Sequence, residues 1–426
     1  MAYEPRNRTY KIRWKFALPL LFLLVLVIYA MGSIFFSSTR QEEKFTVCKL
    51  NETQTQEALN KKAGETYMIS DYLYYGESLG LYKDTYAMNV EDGLAGKTVE
   101  LHNVCNDETT SLTMDKDLDQ KITLKNLKPG FYDVTIIENL VKKRIVFKDS
   151  VKSEPFYMAK RNNKVNKVSI IATKDLLKDY NISMDKNYMF LNVQETTPSN
   201  DKIDVYIDPY GMNTDYQFVP DKGSIGNGLS EYEETYDAAL IMKKQLESYG
   251  LRVEVGRDSV SKEAKSAYGK DGRFANAYQK DAKYYVTLRF NKSENSTFKG
   301  VEMWHSSYTS SVLGKNIMFG LTKNLGMQPS EYGNSDGSGV GRSPSKDGFD
   351  SIIYVRETGG RATFAGMYSD LAKKENASFK DANGMHALEI DFAYVSNSDD
   401  AKNWKENKEK IAKQTADSFA EAIEAK

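Results

Sequence analysis

The chain of 426 residues reads as a multidomain protein. The expected fold class is an N-terminal transmembrane helix, an all-β sandwich, and an α/β domain on a mainly parallel sheet. Three observations predict it: a run of uncharged residues near the N-terminus, a crowd of short period-two segments after it, and strands alternating with helices in the last half. Charge is nearly balanced, 58 Lys and Arg against 59 Asp and Glu, so no basic surface points to nucleic acid.

The first element is Phe16 to Phe36, "FALPLLFLLVLVIYAMGSIFF", 21 residues without a charge and about the length a helix needs to cross a bilayer. Arg6, Arg8, Lys11, Arg13 and Lys15 precede it, and Arg40 is the one cation close behind. The positive-inside rule makes residues 1–15 a cytoplasmic tail and 16–36 an anchor, giving a single-pass protein of the cell membrane with extracellular C-terminal domains. A cleaved signal peptide would have a shorter apolar core and a small-x-small site after it, which this run lacks. Residues 37–66, polar and rich in Gln and Glu, read as a stalk. Cys48 and Cys105 are the only cysteines, either bridged or buried as separate thiols; two cysteines exclude a disulfide framework and a multi-cysteine metal site.

Residues 67–197 form the expected sandwich. "KTVELHNV", "KITLKNL", "FYDVTIIEN", "KRIVFKDS", "KVSIIATK" and "YMFLNVQE" alternate apolar with polar, and Gly, Asn or Asp turns separate them. Lys128-Pro129-Gly130 is a strong turn signal. The stretch "ITLKNLKPGFYDVTI" resembles the "L-x-PG-x-Y-x-V" strand pair of prealbumin-like and Ig-like modules of bacterial surfaces. "TTPSND", Thr196 to Asp201, is the linker. Residues 201–426 then change pattern: "IDVYIDP" is a continuous apolar strand, Glu231 to Tyr249 a helix stopped by Gly250, "LRVEVGRD" a strand, "DGRFANAYQKDA" a helix, "KYYVTLRF" a strand, and Asn403 to Ala425 a closing helix. Right-handed crossovers gather the loops after Ile207, Val255 and Leu288 along one edge, where α/β sheets carry their sites.

The order of these pieces is similar to that of the zinc-dependent N-acetylmuramoyl-L-alanine amidases (the Amidase_3 family), over residues 201–426. "GRFANAYQKDA" matches through Arg273, Ala275, Asn276 and Ala282; "GLRVEVGRD", "G-V-E" and "DFAYVSNSDD" match further family patterns. The resemblance implies zinc held by a histidine, a glutamate and a second histidine, with another glutamate as general base on the metal-bound water. In the family's "DPGHGG" this chain has Asp208-Pro209-Tyr210-Gly211, and Gly211 takes the first ligand's place. The glutamate ligand falls best on Glu233, whereas Glu231 or Glu234 needs a shifted alignment. Arg289 replaces the second histidine, and the base aligns with Asp391, with Glu389 close by.

A guanidinium stays protonated and does not bind zinc. Arg289 is therefore expected to pair with Glu233 or Asp391 by charge-assisted hydrogen bonds and to replace the metal. The blander readings are a helix-dipole role for Glu233 and a solvated surface position for Arg289. Of the three histidines, His102 lies in the β part, His386 starts the strand leading to Asp391, and His305 in "GVEMWHSS" ends a strand beside the family's site. "GSGVGR", within Tyr332 to Gly348, lacks the ending of a phosphate loop.

The resulting expectation is a zinc-less amidase-like protein that binds peptidoglycan or a cell-surface protein partner. Asp208, Tyr210, Gly211, Glu233, Arg289 and His305 are its expected binding residues, Asp391 and Glu389 stand at the position of the base, and no cofactor is expected. The alternative is an active amidase that hydrolyses the N-acetylmuramoyl–L-alanine bond, with zinc on Glu233 and His305, assisted by Asp391.

Overall fold

The computed structural model describes residues 48, 65–84, 93–114, 121–174, 184–211, 223–258, 267, 271–332, 336–346, 349–359 and 383–426. The chain divides into two compact units, Met1–Lys49 and Leu50–Lys426, and the described strands and helices all belong to the second. Neither cysteine is free: Cys48 and Cys105 are both disulfide-bonded.

The expected anchor, Phe16 to Phe36, lies outside the described residues, as does nearly all of the expected stalk. Among the described residues no helix is long and apolar enough to cross a membrane. The longest, Ser398–Ala422, has the length, but Lys402, Lys405, Glu406, Glu409, Lys410 and Lys413 are exposed along it, so it is an amphipathic cover for a core. The transmembrane helix, the single-pass membrane location and the extracellular placement drawn from it are corrected on this finding.

The Ig-like or prealbumin-like sandwich is corrected as well. In its place a ten-stranded sheet runs in the order Glu65–Ile69, Val141–Phe147, Gly130–Glu138, Phe190–Thr196, Val165–Ala172 and Phe156–Tyr157, with Thr98–Asn103 branching from Gly130–Glu138. Its first two strands pair in parallel. A four-stranded sheet, Asn383–Gly384, Asp71–Tyr75, Ser78–Tyr82 and Ile122–Thr123, takes its first strand from the far end of the sequence. Period-two patterning tells which face of each strand is buried, here Val99, Leu101, Val134, Ile136, Val168, Ile170 and Leu191, but not which strands are neighbours. At Gly130 the sequence had little choice: a Cβ there would stand 2.4 Å from the amide of Asn103.

The α/β part, labelled from its first strand, contains β1 (Val205–Pro209), α1 (Glu231–Ser248), β2 (Val253–Val255), α2 (Arg273–Gln279), β3 (Tyr284–Asn291), β4 (Glu302–His305), α3 (Val312–Leu325), β5 (Val340–Arg342), α4 (Ile353–Thr358), β6 (His386–Tyr394) and α5 (Ser398–Ala422). The sheet order is β2-β1-β3-β6-β4-β5, parallel throughout except where β4 meets β6. Val205, Ile207, Val286, Leu288, Phe290, Met303, Leu388 and Ile390 face the core under α1, α3 and α5. Trp404 of α5, 1% exposed, packs edge-on to Phe290. Asn397 begins α5 by accepting from the backbone N–H groups of Asp399 and Asp400, each at 3.0 Å, which meets two of the four donors a helix start leaves open. The Ser-Asn of the sequence motif is thus a helix cap.

The β part is fastened to the start of the central strands. Glu77, at the tip of the Asp71–Tyr82 hairpin, accepts from Arg161 at 2.6 and 2.7 Å, from the Tyr284 hydroxyl at 2.7 Å and from the Ala159 N–H at 2.9 Å. Arg161 also donates to the carbonyl of Ile423 beyond α5. All of this surrounds a carboxylate 4% exposed, a charge that must be bonded to be buried.

Candidate functional site

Strand alternation builds the site. The registers Asp208↔Thr287, Thr287↔Glu389, Arg289↔Asp391, Glu302↔Asp391 and Trp304↔Glu389 place all of these side chains on the face opposite the aliphatic core. The sequence supplies that face with charge where a doubly covered parallel sheet would ordinarily carry apolar residues.

Two charge arrangements share it. In the first, Nε of Arg273 stands 2.8 Å from Oδ1 of Asp208, an ion contact without an aligned hydrogen bond, with side chains 2% and 0% exposed. The Tyr285 hydroxyl donates to Oδ2 of Asp208 at 2.6 Å, and Nη2 of Arg273 donates to the Tyr354 hydroxyl at 3.0 Å. Tyr206 and Phe274 wall the pair in. Burial and the charge of Asp208 raise the Tyr285 hydroxyl well above its ordinary pKa, so it remains a donor.

The second arrangement surrounds Arg289. Its Nε lies 3.5 Å from Oε1 of Glu231 and its Nη1 3.5 Å from Oε1 of Glu389. Its guanidinium rests over the Tyr210 ring, 4.2 Å from the centroid, and Tyr210 meets Tyr354 edge-on. Glu231 is fully buried and is held at the start of α1, where Oε1 accepts from the Phe290 N–H at 2.9 Å and Oε2 from the Ser224 N–H. Glu389 and Asp391 are 3% and 2% exposed. Oε2 of Glu389 and Oδ1 of Asp391 have no hydrogen-bond partner among the described residues. Burial and then the charge of Glu389 push Asp391 well above the usual carboxylate range, against the pull of Arg289. Burial also raises Glu389 and Glu231, each opposed by Arg289. The guanidinium loses to burial but is held above its ordinary value by Glu389, Asp391 and Glu231.

The expected site residues divide on this geometry. Arg289, Glu389 and Asp391 come together with Tyr210, while Asp208 faces Arg273. Gly211 is buried at φ 106°, a backbone conformation that suits glycine. Glu233 is exposed on the outer side of α1, and it is Glu231, two residues earlier, that turns to Arg289. His305 pairs with Leu388 and so lies on the other face of the sheet from Glu389 and Asp391. There its Nδ1 is 2.9 Å from the carbonyl of Ser306, and burial lowers its pKa. Glu302 was legible as the end of "G-V-E" but carried no assigned role. It accepts from Ser330 at 2.7 Å, from Asn291 at 3.1 Å and from the Tyr394 hydroxyl.

A zinc site needs three donors converging on one point. Among the described residues no group of three or more His, Cys, Asp or Glu side chains is arranged to hold a metal ion, so Glu233, His305 and Asp391 are not such a set. A guanidinium stands inside the carboxylate cluster instead. These residues do not fit the ion.

Three of the resembling motifs are bonded into this frame: Asp208 to Arg273, Asn276 to Glu254 at 2.5 Å, and Asn397 to the start of α5. Residues 218–425 match the family model of N-acetylmuramoyl-L-alanine amidase, Amidase_3. No curated protein matches the chain. Among solved structures it is similar to the amidase Ami1 of Mycobacterium smegmatis, with 17% identity, 54% of this chain and 100% of that chain covered, and a TM-score of 0.35. It is similar also to the catalytic domain of the amidase CwlV from Bacillus (Paenibacillus) polymyxa var. colistinus, with 15% identity, 52% and 98% covered, and a TM-score of 0.35. The amidase AmiC2 of Nostoc punctiforme gives 16%, 52% and 94%, and 0.34. The match to the N-acetylmuramoyl-L-alanine amidase family thus falls on the α/β part of this chain, residues 218–425.

Proposed function

We propose that this chain is an amidase-fold binding protein that works without zinc and without hydrolysis, and that holds peptidoglycan or a protein partner at the carboxyl edge of the α/β sheet. The observation that carries the reading is the Arg289 guanidinium between Glu231 and Glu389, within 3.5 Å of each. A divalent ion placed there would face a fixed positive charge that cannot be removed by deprotonation. The same arginine, stacked on Tyr210 and partly open to solvent, suits recognition by contact and hydrogen bonding.

The test is elemental analysis of the full chain after dialysis against trace zinc, beside a muramoyl-peptide cleavage assay and sedimentation with purified peptidoglycan. The reading expects substoichiometric zinc, no cleavage and cosedimentation. Near-stoichiometric zinc accompanied by cleavage would overturn it in favour of an active amidase.

A further inference from the structure

The Arg289 cluster is short of positive charge, and Nε of Arg289 makes no aligned hydrogen bond to the carboxyl groups around it. Glu231, Glu389 and Asp391 present three carboxyl groups to one guanidinium, whose contacts to two of them are 3.5 Å long. Glu231 is satisfied by two backbone N–H groups. Glu389 and Asp391 are not: one oxygen of each, on side chains more than nine-tenths buried, has no partner among the described residues. Buried polar atoms left this way are costly unless something else bonds them.

We infer that the carboxyl cluster beside Arg289 takes a primary ammonium group of a ligand, bonded to the free oxygens of Glu389 and Asp391. The inference rests on the binding reading above and names the chemistry that the ligand must carry. Glu389 and Asp391 stand two residues apart on one face of β6, so one compact donor can address both, as the three N–H bonds of an ammonium allow. A second guanidinium is disfavoured because Arg289 already occupies the flat slot over Tyr210. A divalent ion is disfavoured by its doubled repulsion from Arg289. Arg289 is the open side of the cluster: its side chain is 29% exposed where Glu231 is 0% and Glu389 4%. The upward pressure on both carboxyl groups has the same origin, too little positive charge in a buried place.

The experiment titrates the full chain by calorimetry with Nα-acetyl-lysine amide and with its Nε-acetylated form. The first is expected to bind, with the second about tenfold weaker or more. Asp391→Asn and, separately, Glu389→Gln are expected to remove the difference between the probes. Equal binding of both probes, or of neither, would overturn the inference, as would variants that bind like the parent. Sedimentation with peptidoglycan whose free amines are intact or acetylated separates the two readings. Binding that survives acetylation overturns the ammonium site and leaves the binding reading standing. Binding of the lysine probe without any cosedimentation keeps the ammonium site and removes peptidoglycan as its source.

Discussion

Arg273 with Asp208 and Arg289 with its three carboxylates lie on one face of one sheet, yet they are built differently. The first pair is closed: the contact is 2.8 Å, the second carboxylate oxygen takes a tyrosine hydroxyl, and both side chains are out of solvent. The second is open: its contacts are 3.5 Å, carboxyl groups outnumber the cation, and the arginine reaches water. A buried ion pair holds a fold when its remaining lone pairs are met. When they are not, the same residue types leave a place for something to bind.

Four measurements break or sharpen this contrast. Arg273→Met leaves Asp208 buried and unopposed, and a loss of about 3–5 kcal/mol in denaturant unfolding is expected. A loss below about 1 kcal/mol would mean that the pair is not closed as described. Arg289→Met is expected to cost less, about 1–2 kcal/mol at pH 8, and less still near pH 5. Its three carboxyl groups can take up protons once the cation is gone, so the loss should grow with pH; a pH-independent loss would contradict this.

Asp391→Asn tests the open cluster from the other side. The folded-state pKa of Asp391 is raised, so the folded chain holds a proton that the unfolded chain releases above about pH 4. Its contribution to stability is present below that pH and declines as pH rises toward the folded value. The asparagine variant should equal the parent near pH 3.5 and be more stable by on the order of 1 kcal/mol at pH 7, read as the melting temperature against pH. Smallest of all, Glu233→Gln should change stability by no more than about 0.5 kcal/mol, since the side chain is exposed, whereas Glu231→Gln disturbs two backbone donors. A large effect at Glu233 would restore it to the site.

Much of the frame was readable because local chemistry writes it. The apolar run before Asp208 is a strand, Glu231 to Tyr249 was expected as a helix and is helical over Glu231–Ser248, and Asn397 sits where a cap must. Leu240 shows the limit of residue identity within that helix: it is apolar yet 44% exposed, while Ala238 and Met242 are buried. At the site, a two-residue error moved the glutamate from Glu231 to Glu233. Both are acidic residues in the first turn of one helix, and only the closing of Ser224 and Phe290 over the carboxylate tells them apart. His305 looked near because it ends a strand beside β6; the pleat turns it to the other face. The sandwich failed for a related reason, since alternating residues describe a strand's two faces and nothing about its partners.

Determined by the sequence alone are the elements themselves, their buried sides, the absence of histidine at Gly211 and Arg289, and the motif order of the amidase family. Those follow from propensity, periodicity and residue identity, which act over a few neighbours. Which strands pair, that Asn383–Gly384 closes a sheet begun at Asp71, that Asp208 meets Arg273, and that Arg289 is outnumbered by carboxyl groups were decided only by the tertiary structure. Pairing and pleat bring together residues a hundred or more positions apart, and the charge balance of a buried site is a sum over all of them.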